Sequence, residues 1–187
     1  MVNLGCNPHT RCTGDRDLLD FYVTPSEITS ELVKLEQFDE NILECAVGMG
    51  HIAEVLKEEG YNVTGFDIVD RGYPCTVQDF LEFDGSFDGD VVTNPPFKLG
   101  TDFVLKALQV SKRKVAMLFK IQFVEGIDRY KRLFSKYPPA RIHVFTRRVG
   151  CFKANNPNTS RSAICFAWFI WDKEYEGSTV LNWIDNI

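Results

Sequence analysis

The residues with chemistry to offer stand where β-leaning runs of this sequence stop. "LECAVGMG" ends on Gly48 and Gly50. Glycine permits a tight turn and lets backbone N–H groups approach a ligand closely at the start of the next helix. Asp67, in "GFDIV", follows nineteen residues after Gly48. A carboxylate there can accept both hydroxyls of a ribose, as in sites for adenosine-containing cofactors. Ala53 holds the third glycine position of the dinucleotide fingerprint as a permitted variant only. The run therefore supports a nucleoside rather than a dinucleotide pyrophosphate. In "VQDFLEF", Asp79 can accept from an adenine amine with Phe80 against the ring. In "DVVTNPPFKLG", a buried-looking run breaks on Asn94, Pro95 and Pro96, with the Phe97 ring just beyond. Each feature has a plainer reading: strand-to-helix punctuation, an exposed loop acid, a strand-ending turn. Their succession at consecutive run ends favours one site.

The surrounding pattern says which elements carry them. "PSEITSELVKL" reads as a helix, with Thr24 available as N-cap and Ile28, Leu32 and Leu35 at helical spacing. "HIAEVLKEEG", "GTDFVLKALQV" and "EGIDRYKRLFSKY" read as three more helices, the last stopped by Pro138 and Pro139. Seven strands are expected: "NILECAV", "YNVTGFDIVD", "YPCTVQDF", "GDVVTNP", "KVAMLFK", "RIHVFTRRV" and "SAICFAWFIWD". Strand–helix alternation implies a mostly parallel sheet with helices on both faces. Only a loop joins the last two strands, which suits an antiparallel final strand. Ligands of such sheets gather at the carboxyl ends of the parallel strands. The aromatic last run is long and unbroken enough to be a buried strand rather than a ligand cage. Trp183 in "LNWIDNI" is expected to pack the tail down.

With 187 residues, 44% apolar and 25% charged, the chain suits one soluble domain. We expect a flexible arm over 1–16 and a single domain over 17–187. No apolar run is long enough for a membrane span, and the amino-terminal segment lacks the apolar core of a signal peptide. Six scattered cysteines without a CxxC pair suit free thiols in a reducing cytoplasm. Cys6, His9 and Cys12 do not complete a tetrahedral metal set, so no metal is expected. The net charge of −5 hides an asymmetry. Residues 98–161 hold fifteen Lys/Arg against three Asp/Glu, a balance of +12, while the rest carries −17. Such a split hints at a half that faces a polyanion, the plain alternative being a solvated basic face.

"ECAVGMG", "FDIV", "QDF" and "NPPF" occur in the order and spacing of class I S-adenosylmethionine-dependent methyltransferases. With "FYVTP" near the amino terminus, the chain most resembles the small N6-adenine DNA methyltransferases of phage and prophage type. The resemblance covers roughly residues 17–172, and "NPPF" is its most specific element. It implies a Rossmann-like class I fold and S-adenosylmethionine as cofactor. Glu44, Ala46, Gly48 and Gly50 would line the methionine part, under Tyr22, Thr24 and Pro25. Asp67 would take the ribose hydroxyls, Ile68 would pack on the adenine, and Asp79 with Phe80 would hold its edge. Asn94 and the Pro95 carbonyl would receive the target amine, and Phe97 would stack on the target base. Cys45 departs from the proline common in relatives, at a position before the glycine turn where a change is tolerable.

An exocyclic amine is a poor nucleophile because its lone pair is delocalised into the ring. Two fixed acceptors for its hydrogens favour a pyramidal nitrogen. Proline's fixed φ and the restriction that Pro96 imposes on Pro95 aim the carbonyl. Catalysis would rest on orientation and preorganised electrostatics, without a strong base. Related tetrapeptides also serve methylation of RNA bases and of protein glutamine. Lys98, Arg147, Arg148, Lys153 and Arg161 flank loops leaving the carboxyl ends of the sheet, where a phosphate backbone can pair with them. The ranking is therefore DNA adenine, then RNA, then protein glutamine, with a silent nucleoside-binding module as a separate class. The chain leaves no room for a target-recognition domain, so a partner protein is one source of target specificity.

Overall fold

The computed structural model describes residues 22–149, 152–153 and 164–185. Short apolar runs bounded by turn residues become β2 (Asn41–Glu44), β3 (Asn62–Asp67), β4 (Thr76–Val77), β5 (Asp90–Thr93), β6 (Lys114–Lys120), β7 (Arg141–Phe145), β9 (Phe166–Asp172) and β10 (Val180–Ile184). They form one sheet in the order β10-β7-β9-β6-β5-β2-β3-β4. β9 lies antiparallel between β6 and β7, and every other neighbouring pair is parallel. A separate antiparallel pair joins β1 (Tyr22–Val23) to β8 (Phe152–Lys153).

Alternation along the strands explains the layers. In β6, Val115, Met117 and Phe119 face one way, toward Phe103, Val104 and Ala107 of α3 (Gly100–Val110). Ala116 and Leu118 face the other way, toward Ile28 and Leu32 of α1 (Ser26–Leu35) and Ile52 and Leu56 of α2 (His51–Glu58). A strand covered on both faces reads as an unbroken apolar run rather than an alternating one. α4 (Ile127–Arg129) continues into a π-helical turn, Tyr130–Phe134, whose Leu133 is fully buried on the α3 side. The aromatic run becomes the buried strand β9, and Trp168 Nε1 donates to Ile28 O at 3.0 Å, tying α1 to the sheet.

Three expectations are corrected. The main sheet has eight strands among the described residues, not seven, because "VLNWI" forms β10 against β7. The reversed strand is therefore neither last nor at an edge. Trp183 does not pin the tail. It is 68% exposed, while Ile184 on the opposite face of β10 is buried beside Trp168. Thr24 does not cap α1. Pro25 stands at the cap position without a side-chain bond, and the Thr24 hydroxyl is taken by Asn94.

Candidate active site

β2, β3 and β5 end side by side, and their last residues meet the turns that follow. The β2 exit is a glycine turn with Gly48 at φ 58° and Gly50 at φ 82°, values that favour glycine. A Cβ on Gly50 would lie 2.1 Å from the Tyr73 ring, so space as well as torsion requires glycine there. Tyr73 packs over the turn, donating to Glu54 at 2.6 Å and accepting from Lys57 at 2.7 Å. These contacts clasp α2 to the loop after β3.

Asp67 ends β3 and is nearly buried. One carboxylate oxygen accepts the Gly48 N–H at 2.8 Å, the other the Val69 N–H at 2.9 Å, and the Arg71 guanidinium lies 3.8 Å away. The carboxylate is thus locked in place, and each oxygen keeps a further lone pair for a hydroxyl. Ile68 beside it leaves an apolar side chain half in solvent. Met49, between the two glycines, does the same and was not anticipated from the sequence.

Glu44 ends β2 and is 2% exposed, with Oε2 lacking any described partner. Burial holds its carboxyl well above the usual carboxylate range; the Ala53 N–H and Lys57 pull the other way, and the Asp67 charge adds to the rise. The adjacent Cys45 thiol is pushed far up by burial and is inert as a nucleophile. Ala46 is half-buried against the core on the α3 side.

Asn94 follows directly on β5. Its Nδ2 donates to Thr24 Oγ1 at 3.0 Å, which fixes which end of the amide faces which way. Its Oδ1 is buried and accepts from no described group. Pro95 is buried, and Pro96 has φ −60°, with its carbonyl accepting the Leu99 N–H at 3.0 Å to start the turn Phe97–Leu99. Phe97 is half-buried, its centroid 5.9 Å from that of Phe166. Lys120, at the carboxyl end of β6, places Nζ 5.0 Å from the Phe97 centroid. Lys120 went unnoticed in the sequence; a polar residue closing an apolar run at that end of a parallel strand was the available signal.

Asp79 is half-buried, with Oδ1 accepting the Leu81 N–H at 2.9 Å and so capping the short turn Phe80–Glu82. Phe80 is the correction here. Its ring is 2% exposed and packs on Phe103 in the core, rather than standing open at the site as expected. Pro25 is half-buried beside Thr24, and Lys98, Arg147 and Arg148 are exposed. β1–β8 pairing sets the backbone of Tyr22 opposite Lys153. Arg161, Cys6, His9 and Cys12 lie outside the described residues. An open groove of about 530 Å³, lined by residues such as Lys57, Asn62 and Asp88, lies toward the amino ends of β2 and β3, away from this arrangement.

Solved structures similar to this chain include the following three. A Pyrococcus horikoshii protein assigned as an RNA methyltransferase has TM-score 0.64 and 18% identity, with 86% of this chain and 90% of that one covered. A Vibrio vulnificus YJ016 protein, assigned as the modification subunit of a type I restriction enzyme, has TM-score 0.59 and 15% identity, with 90% and 46% covered. The magnesium protoporphyrin IX methyltransferase of Synechocystis PCC 6803, with bound S-adenosylmethionine, has TM-score 0.52 and 14% identity, with 78% and 76% covered. This is the class I methyltransferase fold. No family model and no curated protein matches the sequence. Among the described residues no helix is long and apolar enough to cross a membrane.

Proposed function

We propose that this chain transfers a methyl group from S-adenosylmethionine to the exocyclic N6 amine of adenine in nucleic acid, DNA before RNA. The observation that carries the reading is Asn94. Its amide nitrogen is tied to Thr24, so a buried carbonyl oxygen without a described partner is left beside Pro95. Leaving a buried acceptor unsatisfied costs about 1–3 kcal/mol, a cost that a substrate N–H would remove. Functional sites are where such costs are tolerated.

The residues present fit the cofactor. Glu44 offers a buried, unpartnered carboxyl oxygen suited to the ammonium of the methionine part, and Gly48 and Gly50 give close backbone approach. Asp67 is held by Gly48 and Val69 with capacity left for ribose hydroxyls, and Ile68 offers an apolar surface to the adenine. When bound, S-adenosylmethionine supplies an electrophilic methyl on a sulfonium. Asn94 Oδ1 and the Pro95 carbonyl would accept the two amine hydrogens and so free the nitrogen lone pair to take that methyl from the sulfonium. The amine proton leaves to water, and Phe97 holds the base. Reaching a base in a duplex requires flipping it out, at a few kcal/mol.

The exposed Lys98, Arg147 and Arg148, together with Lys153 and Arg161, supply the phosphate contacts. Residues 17–187 act as one catalytic domain in the cytoplasm, with a protein partner or the loops supplying target choice. The second reading, an RNA base, is favoured by the assignment of the Pyrococcus neighbour. Protein glutamine stands third, and a silent nucleoside-binding module is the reading from another class. The test is label transfer from S-adenosylmethionine to unmethylated DNA, RNA and protein pools, with Asn94→Ala as control. Label in DNA that maps to N6 of adenine, lost in the variant, is the expected result. Label only in RNA or protein sinks the DNA assignment, and cofactor binding without transfer to any pool sinks the enzyme reading.

A further inference from the structure

The two edges of the sheet are built differently. β4 is only two residues long, which blunts that edge. β10 is five residues long, "VLNWI", and contains no charge and no proline. Edges of that length ordinarily carry a lysine, a proline or a bulge that turns a further strand away.

The backbone of β10 has a definite outward side. Val180 N–H donates to Ala140 O at 3.0 Å, and Ile184 O accepts Thr146 N–H at 3.0 Å. In a parallel ladder alternate residues serve one neighbour, so Val180, Asn182 and Ile184 turn their N–H and C=O toward β7. Those of Leu181 and Trp183 point away from it, where no described strand pairs with β10. The same two residues share one face of the strand, with Leu181 44% and Trp183 68% exposed.

We propose that β10 pairs antiparallel with β10 of a second copy about a twofold axis, extending the sheet across a homodimer. The occupant follows from self-complementarity. In the register centred on Asn182, Leu181 of each copy lies opposite Trp183 of the other, and Val180 opposite Ile184. The outward N–H and C=O groups of Leu181 and Trp183 then partner each other. Each copy's exposed Trp packs on the other's Leu, the kind of cross-strand aromatic–aliphatic pair that stabilises sheets. No like charges meet, since the strand is uncharged. Tryptophan is the residue type most enriched at the energetic centres of interfaces. This inference is independent of methyl transfer, and either can fail without the other.

Sedimentation equilibrium of the full chain over micromolar to submillimolar concentrations tests it. The chain is expected to sediment as a concentration-dependent dimer. Trp183→Lys should weaken dimerisation at least about tenfold, a loss of about 1.4 kcal/mol, with an unchanged circular dichroism spectrum. Leu181→Pro removes an outward donor that the β7 ladder does not use, and should act likewise. Asn182→Cys should form an intermolecular disulfide mapped by peptide analysis to position 182, since facing residues of a pair without hydrogen bonds approach to about 4.5 Å between Cα atoms. That cross-link decides the matter if either other variant unfolds. A monomer at every concentration overturns the proposal, even one that captures a strand of some other protein. A dimer unaffected by both edge variants, or a cysteine variant without the 182–182 link, overturns it too.

Discussion

The two ends of the parallel strands treat buried polar groups in opposite ways. At the amino ends, Glu36 is 4% exposed and is met by Lys114 Nζ at 2.8 Å, by the Arg141 guanidinium at 2.9 Å and by His143 Nε2 at 2.9 Å. Asp172 completes the set against Arg141 at 3.2 Å, and the fully buried Asp90 accepts the Lys114 and Asp39 N–H groups at 2.6 and 2.7 Å. At the carboxyl ends, Glu44 Oε2, Thr93 Oγ1 and Asn94 Oδ1 are buried and accept nothing from the described residues. Ser111 Oγ and the second His143 nitrogen lack partners toward the other end, but no carboxylate oxygen does. A charge kept in a low-dielectric interior must be paired to be tolerated. A buried carboxylate oxygen left unpaired at the carboxyl ends, with none at the amino ends, is what a ligand site requires of its empty state.

The largest expected effect breaks the paired end. Glu36→Ala leaves the buried Lys114 and the part-buried Arg141 to share only the Asp172 carboxylate, and should cost about 3–5 kcal/mol of stability, read by urea unfolding. A loss no larger than that of an exposed glutamate would mean that the network is solvated and the contrast false.

At the other end, Asn94→Ala should reduce the methyl-transfer rate by about 100- to 1,000-fold, the effect of deleting one preorganised polar group. Its thermal midpoint should fall only by the modest loss of the Nδ2–Thr24 hydrogen bond, since the amide oxygen satisfies nothing in the empty fold. A large stability loss with modest kinetic change would make Asn94 a structural residue.

Gly50→Ala comes next. A left-handed alanine placed against the Tyr73 ring should destabilise by about 1–3 kcal/mol. Gly50→Ala combined with Tyr73→Ala should recover the steric part and not the torsional part, which calorimetry of both variants separates.

The smallest effect is the sharpest test of the contrast, because the two glutamates titrate with opposite signs. Burial alone would raise the Glu36 carboxyl, but hydrogen bonds from His143, Arg141 and Lys114 outweigh it and hold the group far below the usual range. Its contribution is therefore present above the unfolded value of about 4.3 and is lost as pH falls toward the depressed folded value. Glu44 is raised, so the folded state binds its proton more tightly. Its contribution is present below about pH 4.3 and is lost as pH rises through the interval up to the folded value. Glu36→Gln should flatten the acid limb of a stability–pH curve. Glu44→Gln should flatten the decline on the other side, raising the midpoint near neutrality while weakening cofactor binding. Identical slopes for both variants would erase the distinction between the two ends.

What could be read from the sequence follows the range of the interactions involved. The glycine turn, Asp67 and the Asn-Pro-Pro-Phe run are local signals, since proline and glycine act on their own torsions and apolar period marks strand ends without reference to distant chain. The helix-covered parallel sheet was legible for the same reason, as was the burial of the aromatic strand β9. Thr24 read locally as a helix cap, and its hydroxyl instead meets Asn94, 70 residues away. Phe80 read as a ring beside a ligand, because the acid before it hid the fact that α3 would close over it. "VLNWI" read as a tail, because a short run becomes a strand only when an open edge such as that of β7 is there to pair with it. The sequence by itself determined where the chain turns and which chemistry sits at each turn. Tertiary structure alone decided which polar atoms were paired and which were left open, because that depends on partners brought together from opposite ends of the chain.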